Sequence, residues 1–256
     1  MIRSFKDYLL GRIFMNKLGT QLDLIAQNYH LSDDMEDKYI EEMSQVFAVS
    51  QIAQNIQPDD SILELGYGDG ITTKILSKKF KNYSVIEGSK ILYDAASKLF
   101  PKVNLIHSFF ETYEPATSFD RVLALHVFEH VDNPVELLLR VGSWISKNGE
   151  LIIIVPNSQS IHRRLALEAG LINALDDLSA RDKMVGHLRV YDLNMLNKHL
   201  QSAGFEIVES TGLFLKPFSN SQLLHLDKKI IDAMNTISVN FPAEFGANLL
   251  VRAKKS

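Results

Sequence analysis

An acid followed by three glycines at every second position forms the stretch of this sequence best suited to binding a small ligand. Glu64 is followed by Gly66, Gly68 and Gly70. Glycine permits backbone conformations with positive φ and lets a ligand approach the main chain without meeting a Cβ atom. A short apolar run precedes the acid and a helical stretch follows the last glycine, so the free N–H groups of the helix point at the loop. The pattern therefore predicts a ligand-binding loop between a strand and a helix.

The spacing of these glycines argues against two common phosphate-binding loops. A dinucleotide fingerprint would need its third glycine at the position of Ile71. A Walker loop would need Gly-Lys followed by Ser or Thr, which is absent here. A glycine-rich turn preceded by an acid suits instead a cofactor that carries a cationic amino group and no phosphate. S-adenosylmethionine meets that description.

A second acid stands where a nucleotide cofactor needs one. Glu87 ends the predicted strand of residues 83–86 and lies about twenty residues beyond the glycines. A carboxylate at the tip of a second strand is placed to accept hydrogen bonds from both ribose hydroxyls. We therefore expect Glu87 and the adjacent Gly88 to contact a ribose.

The glycine motif resembles the first motif of class I (Rossmann-like) S-adenosylmethionine-dependent methyltransferases, which has the form E/D-x-G-x-G-x-G. The segment from Leu125 to Pro134, LHVFEHVDNP, resembles the LxxxEHV-x-x-P segment of the type 11/12-like branch. That branch includes the ubiquinone-biosynthesis O-methyltransferases. The resemblance covers roughly residues 40–157 and 187–253 and implies S-adenosylmethionine as cofactor, with S-adenosylhomocysteine as product.

The resemblance also implies which residues hold the cofactor. Family members often carry a Gly-Asp pair after the third strand, whereas this chain has Ser108-Phe109 and Phe110, so adenine would be held by aromatic stacking and backbone groups. In the family a helix before the first strand often covers the cofactor, and Tyr39 is a candidate for that lid. The predicted cofactor-binding residues are Glu64, Gly66, Tyr67, Gly68, Gly70, Glu87, Gly88, Phe109, Phe110, His126 and Tyr39.

Methyl transfer from a sulfonium is an in-line displacement, so the protein must align donor and nucleophile and exclude water. An alcohol or phenol acceptor also needs a base, whereas a neutral amine does not always need one. His126 and His187 are the candidate bases, although a structural role is open for each. Glu129 and His130 raise a metal option. Because Asp132 is the only further ligand nearby in the sequence, no metal site is predicted.

The elements around these residues predict an α/β fold. Apolar strands alternate with helical patterns after the glycine loop, which is the order of a doubly wound, mostly parallel sheet. One predicted helix covers residues 134–146 and is expected to stop at Lys147-Asn148-Gly149. The resemblance implies seven strands, with the last one, residues 245–253, antiparallel. The preceding strands are predicted at residues 62–65, 83–86, 103–107, 122–125, 150–155 and 205–208.

Residues 1–57 are predicted to form a helical lid or oligomerisation segment, and residues 58–256 the S-adenosylmethionine-binding domain. Residues 158–190 interrupt the minimal fold as a mostly helical insert, which we expect to cap the acceptor. Three arginines in this insert suit an anionic acceptor, and ordinary salt bridges are the alternative. They are Arg163, Arg164 and Arg189.

Composition limits the classes of partner. The 256 residues carry a net charge of −4 with no basic block, which argues against a nucleic-acid partner. Cysteine is absent, so disulfides and thiolate metal sites are excluded. The sequence predicts neither a membrane-spanning run nor a signal peptide, and the expected location is cytoplasmic. The basic amphipathic pattern of residues 1–20 suits packing on the domain, a homodimer contact or a membrane surface.

These observations favour methyl transfer to a small molecule, with a hydroxyl on a sugar, lipid-linked or secondary-metabolite acceptor. The alternative is a non-catalytic S-adenosylmethionine-binding or scaffold subunit, which the intact glycines and Glu87 argue against. An aminopropyl transferase would need more acidic residues near the end of the fourth strand. The spacing of the glycines disfavours a NAD-dependent oxidoreductase. A D/N-P-P-Y tetrapeptide is missing, which disfavours methylation of DNA bases.

Overall fold

The structure is a computed structural model and describes residue 15 and residues 17–31 and 36–256. Seven strands form one sheet in the order β3-β2-β1-β4-β5-β7-β6. Neighbours among β1 to β5 pair in parallel, whereas β7 runs antiparallel to both β5 and β6. This confirms the predicted doubly wound sheet with its antiparallel last strand. The strands are β1 (Ile62–Leu65), β2 (Tyr83–Glu87), β3 (Asn104–His107), β4 (Phe119–Leu125), β5 (Ile145–Pro156), β6 (Phe205–Leu213) and β7 (Asn248–Lys255).

Helices cover both faces of the sheet. A helical stretch at residues 17–25 continues into a π-helical turn at Ala26–His30, ahead of the first numbered helix. A short 3₁₀ turn at Ala243–Phe245 leads into β7. The α-helices are α1 (Lys38–Ala53), α2 (Ile71–Leu76), α3 (Lys90–Leu99), α4 (Pro134–Trp144), α5 (Ile161–Glu168), α6 (Ala180–Val185), α7 (Leu193–Ser202), α8 (Asn220–Leu223) and α9 (Lys228–Ser238).

The central strand β1 is buried on both faces, as its apolar run predicts. Its side chains alternate between two cores, because successive residues of a strand point to opposite faces. Leu63 and Leu65 join the core that contains Trp144. Ile62 joins the other core, and Glu64 therefore faces the same side as Ile62. The acid of the glycine motif is thus directed into a packed layer rather than into solvent.

Several predicted boundaries differ from the structure, and β6, for example, continues to Leu213 rather than ending at residue 208. Helix α4 ends at Trp144, and Lys147–Gly149 lie within β5 rather than at a helix stop. A Cβ at Gly149 would come within 2.9 Å of the carbonyl oxygens of Phe119 and Asp120, so this glycine serves the close approach of β4. The insert is also less helical than predicted, since α5 and α6 cover only part of it. Residues 1–14, which hold most of the basic amphipathic pattern, lie outside the described residues.

No helix in the described part of the chain is both long enough and apolar enough to cross a membrane.

Candidate active site

A cavity of about 1260 Å³ opens at the carboxyl ends of β1, β2 and β4. This is the edge where doubly wound sheets place their ligands. We call its wall around the glycine loop (Gly66–Gly70) and Glu87 the cofactor end. The wall formed by the end of β4, the insert and Lys216 is the acceptor end. Both candidate bases and all predicted cofactor residues except Tyr39 line the cavity.

Tyr39 lies elsewhere. Its side chain packs beside Phe214 and Leu223, under the ammonium group of Lys228. Its hydroxyl donates to the carbonyl of Leu224. The structure therefore gives no support to Tyr39 as a cofactor residue. Tyr39 lies on the face of α1 that packs in a small core against the loop after β6. The sequence around Tyr39 does not indicate this packing, because the loop is distant in the chain.

The glycine loop adopts the backbone conformation that its composition predicts. Gly66, Gly68 and Gly70 have φ values of 80°, 52° and 72°. Other residues rarely adopt such values. At Gly70 a Cβ would also lie 2.3 Å from the hydroxyl of Tyr67, whose ring covers this glycine. Gly70 is thus required both for its backbone conformation and for the position of Tyr67.

Glu64 braces the loop from beneath. Its Oε2 accepts hydrogen bonds from Thr73 Oγ1 at 2.5 Å and from the Tyr83 hydroxyl at 2.7 Å. These bonds tie β1 to α2 and to β2. Burial raises the pKa of Glu64 to about 8, although the two hydrogen bonds oppose this shift. The side chain is therefore largely protonated at neutral pH.

Glu87 is held in one orientation by the main chain. Its Oε2 accepts from the N–H of Tyr67 at 2.7 Å, and its Oε1 accepts from the N–H of Ser89 at 2.6 Å. Burial raises the pKa of this carboxyl, while the backbone hydrogen bonds lower it, and the net shift is upward. Each oxygen keeps a second lone pair. The geometry leaves Glu87 able to accept from two ligand hydroxyls.

The two phenylalanines after β3 lie in different surroundings. A Cβ at Gly88 would come within 2.9 Å of Leu22 and 3.1 Å of Phe109, so Phe109 stands directly beside the predicted ribose residues. Phe110 packs against the core under β4. Both line the cavity. The structure therefore distinguishes two aromatics that the sequence left equivalent.

Residues that the sequence left unassigned close over the glycine loop. His30 Nδ1 lies 2.9 Å from Asp69 Oδ1, between the π-helical turn and the loop. Asp23 accepts from Ser89 Oγ at 2.6 Å and from the N–H of Ile91 at 3.2 Å. These contacts hold residues 17–31 across the cofactor end. In the sequence, the position of Asp69 within the glycine loop is the one feature that indicates a contact of this kind.

His126 stands at the end of β4 in a strained conformation, with φ of 58°. Its Nδ1 lies 3.0 Å from Oε1 of Glu129, whose side chain is fully buried. Burial lowers the pKa of His126, but the hydrogen bond and charge of Glu129 outweigh burial and raise it overall. For Glu129 burial raises the pKa, and the hydrogen bond from His126 with the nearby imidazoles brings it below its usual value. In this pair the carboxylate of Glu129 orients the imidazole ring of His126.

His187 forms a second pair of this kind within the insert. Its Nδ1 lies 2.8 Å from Asp182 Oδ1. The other oxygen of Asp182 accepts from Ser179 Oγ at 2.6 Å and from Arg163 at 3.2 Å. Burial acts to raise the pKa of Asp182, but the bonds from His187 and Ser179 hold it well below its ordinary value. Asp182 is therefore an ionised and fully engaged carboxylate.

The three arginines that were predicted to suit an anionic acceptor make hydrogen bonds within the fold. Arg163 donates to two carbonyl oxygens of the insert at 3.0 and 2.9 Å. Arg189 donates at 2.8 Å to the carbonyl of Phe128 after β4. Arg164 donates to the carbonyl of Gln159 at 2.7 Å. These arginines are therefore engaged in contacts within the protein, as the alternative of ordinary structural contacts predicts. Their predicted role in binding an anionic acceptor gains no support.

Lys216 is a cation at the acceptor end that sequence reasoning missed. Its Nζ donates to Asn220 Oδ1 at 2.5 Å and lies 5.5 Å from the ring centre of Phe214. Among the described residues no carboxylate oxygen lies within 4.0 Å of this Nζ. Burial lowers its pKa to about 8. Lys216 follows β6 in no recognisable motif, so no pattern in the sequence could single it out.

The residues of the cofactor end fit S-adenosylmethionine. An ideal Cβ at Gly66 would meet nothing within 4 Å, so the loop leaves open space on the cavity side. Asp69 and Glu87 line the cavity there, which suits a ligand with a sulfonium and an ammonium group. Glu64 also lines the cavity, but its largely neutral carboxyl braces the loop instead. The fold and these residues together define a class I S-adenosylmethionine-dependent methyltransferase.

The sequence matches the family described as methyltransferase domain over residues 35–210, and the chain belongs to that family. This confirms the predicted resemblance and its cofactor. The chain is 28% identical over 105 residues to (S)-coclaurine N-methyltransferase of Thalictrum flavum subsp. glaucum, covering 38% of this chain and 29% of that protein. It is 25% identical over 140 residues to the mitochondrial ubiquinone biosynthesis O-methyltransferase of Schizosaccharomyces pombe, covering 52% and 50%. The chain thus spans about half or less of the length of these curated relatives.

Solved structures share the fold at low sequence identity. Coclaurine N-methyltransferase bound to N-methylheliamine and SAH superposes with a TM-score of 0.55 at 19% identity, covering 83% of this chain and 72% of that one. The CcbJ methyltransferase from Streptomyces caelestis gives a TM-score of 0.57 at 14% identity, covering 82% and 89%. These likenesses establish the fold.

Proposed function

We propose that this chain transfers the methyl group of S-adenosylmethionine to a hydroxyl of a small molecule, such as a sugar, a lipid-linked compound or a secondary metabolite. The observation that carries the proposal is the pair His126–Glu129 at the junction of the cofactor and acceptor ends. A hydroxyl acceptor needs a base in this position, whereas a neutral amine does not always need one.

The bound cofactor would supply an electrophilic methyl group on a sulfonium. Glu87 would accept the ribose hydroxyls, and the glycine loop would admit the methionine end. The Nδ1–H of His126 would donate a hydrogen bond to Glu129, which leaves the lone pair of Nε2 for the acceptor. His126 Nε2 would accept the proton of the acceptor hydroxyl during the transfer. The resulting imidazolium, beside Glu129, would carry the positive charge that the sulfonium loses on becoming a thioether.

Residues 17–31 and the insert would keep water out of this step. The Tyr29 hydroxyl donates to Glu41 at 2.6 Å, and Arg181 pairs with Asp37 and Glu41, both at 2.6 Å. These bonds join the N-terminal segment, α1 and the insert around the cavity. They support the division into an N-terminal lid and a cofactor-binding domain.

Lys216 favours an acceptor that carries a negative group, such as a carboxylate or phosphate. Its ammonium group lines the cavity, and its one described hydrogen-bond acceptor is the neutral side chain of Asn220. A half-buried cation without a carboxylate partner is costly unless a ligand supplies the opposite charge. The acceptor would then be oriented by its anion at Lys216 and by its hydroxyl at His126.

The test measures S-adenosylhomocysteine formed by purified protein with panels of hydroxyl and amine compounds, each with and without a carboxylate or phosphate. We expect turnover with anionic hydroxyl compounds and a drop of about a hundredfold or more in kcat for His126→Asn. His225→Asn, at an exposed histidine outside the cavity lining, is the matched control and should be unaffected.

Two results would contradict the proposal. Turnover of amines alone, unchanged in His126→Asn, would favour the amine acceptors that the name of the coclaurine relative indicates. Donor binding without turnover of any acceptor would favour the non-catalytic alternative.

A further inference from the structure

We propose that Glu129, His130 and His187 bind one divalent transition-metal cation in the wall of the cavity at the acceptor end. Each residue offers one ligand atom, and these atoms lie within 4.8 Å of one another. Ligands around a cation at bond lengths of about 2.0–2.2 Å are at most about 4.4 Å apart. Small side-chain rotations are therefore enough to bring the three into coordination.

The two imidazoles are already oriented as metal-binding histidines usually are. His187 Nδ1 is 2.8 Å from Asp182 Oδ1, and His130 Nδ1 is 3.3 Å from the carbonyl oxygen of Gly186. Such outer partners fix Nδ1 as the protonated nitrogen and leave the lone pair on Nε2. The rings meet edge to face, with centroids 4.7 Å apart.

The carboxylate has an atom to spare for a cation. Glu129 Oε1 is engaged by His126, whereas Oε2 is buried and has no hydrogen-bond partner among the described residues. A buried carboxylate oxygen without a partner is costly, and native structures seldom leave one unexplained. Coordination of a cation by Oε2 would remove that cost.

The third ligand is held in place by the backbone. The N–H of Leu188 donates to the carbonyl of Glu129 at 2.8 Å, and Arg189 donates to the carbonyls of Phe128 and Val131. These bonds clamp the segment that carries His187 against the end of β4. The approach of His187 to Glu129 and His130 is therefore fixed by the fold rather than by chance contact of mobile side chains.

The ligand set selects the kind of metal. Two imidazoles and one carboxylate suit Zn²⁺, Mn²⁺ or Co²⁺ better than Ca²⁺ or Mg²⁺, which prefer all-oxygen sites. His130 and His187 line the cavity, so the remaining coordination positions face the space for the acceptor. Polarising an acceptor oxygen there rests on the proposed function, whereas binding of the metal does not.

Calorimetric titration of chelator-treated protein with Zn²⁺ and with Mn²⁺ tests the site. We expect one cation per chain, with affinity lowered about tenfold or more in His187→Ala and in His130→Ala. His199→Ala, which removes a histidine outside the cavity lining, should bind as the wild type does. Circular dichroism establishes that each variant is folded, and either histidine variant suffices for the comparison.

Co²⁺ provides an independent readout, since its visible absorption reports coordination by protein ligands. We expect a spectrum of a four- or five-coordinate ion in the wild type and its loss in His187→Ala. Absence of stoichiometric binding by folded wild type, or binding by both histidine variants as tight as that of the wild type, would overturn the proposal. S-adenosylmethionine affinity measured on the same samples separates this outcome from failure of the proposed function, because donor binding does not require the metal.

Discussion

At the cofactor end both oxygens of Glu87 accept hydrogen bonds from backbone N–H groups. At the acceptor end Glu129 Oε2 and Nδ1 of His162, a residue of the insert, are buried with no hydrogen-bond partner among the described residues. Lys216 likewise lacks a carboxylate within ion-pair distance among the described residues. At the cofactor end the carboxylate of Glu87 already has its protein hydrogen bonds, and its remaining lone pairs are free for ligand hydroxyls. At the acceptor end several polar atoms have no hydrogen-bond or ion-pair partner in the described part of the chain. We infer from this difference that the acceptor end determines which substrate is bound.

Gly70→Ala gives the largest expected effect, because it breaks the cofactor end. The added Cβ would meet the Tyr67 ring and would sit at a φ of 72°. We expect loss of donor binding and a free energy of unfolding lowered by about 2 kcal/mol or more. Calorimetry and denaturant unfolding measure both effects.

Gly170→Ala is its matched control. The φ of Gly170 is 69°, but a Cβ there would meet nothing within 4 Å, and Gly170 does not line the cavity. Only the backbone strain of about 1–2 kcal/mol should remain, with donor affinity unchanged. Equal loss of donor binding in both variants would show that backbone strain alone, and not the displacement of Tyr67, accounts for the loss.

Glu87→Gln should weaken donor binding by about ten- to a hundredfold. The new amide would point its N–H₂ group at the backbone N–H of either Tyr67 or Ser89, which now donate to the carboxylate. Calorimetric titration with S-adenosylmethionine measures this. Unchanged affinity would contradict the assignment of the ribose to this residue.

Lys216→Met should raise the KM for an anionic acceptor about tenfold and leave donor affinity unchanged. In the wild type this KM should rise as the pH passes about 8, because the ammonium group then loses its proton. Steady-state kinetics from pH 6 to 9.5 test both points. Lys228→Met, which removes a lysine over the Tyr39 ring, is the control. A pH profile identical in Lys216→Met and wild type would remove Lys216 from acceptor binding.

Glu64→Gln should have the smallest effect on function and a visible effect on stability. The pKa of Glu64 is about 8 in the folded chain against an ordinary value of 4.5, so the native state binds more protons between these two pH values. The free energy of unfolding therefore falls as pH rises through this window, by at most about 1.4 kcal/mol per pH unit. The variant should lose that contribution, so its stability relative to wild type should increase from pH 5 to pH 8. Urea unfolding at several pH values measures the difference, and parallel curves would contradict a raised pKa.

The cofactor end was predictable because its determinants are local in sequence. A strand, three glycines and an acid at the tip of the next strand specify backbone conformation and hydrogen bonding within residues 62–87. The same logic predicted a doubly wound, mostly parallel sheet, since strands that alternate with helices wind in one direction. It was wrong for Gly149, because a helix stop and a close approach of two strands both select glycine.

The acceptor end was not predictable, because its contacts join distant parts of the chain. His187 approaches Glu129 and His130 only when the insert folds back on β4. Lys216 reaches the cavity after a turn at Phe214, whose φ is 59°. The arginines were attractive candidates by type, yet they already donate hydrogen bonds to backbone carbonyls of the insert and of the segment after β4. Residue type alone does not distinguish a free cation from an engaged one.

The most direct test of this account is calorimetric binding of S-adenosylmethionine to wild type, Glu87→Gln and His126→Asn. We expect micromolar binding to wild type, near-equal binding to His126→Asn and a loss in affinity of at least about tenfold in Glu87→Gln. Absence of binding to folded wild type would contradict the cofactor assignment. Equal losses in the two variants would contradict the separation of the cofactor end from the acceptor end.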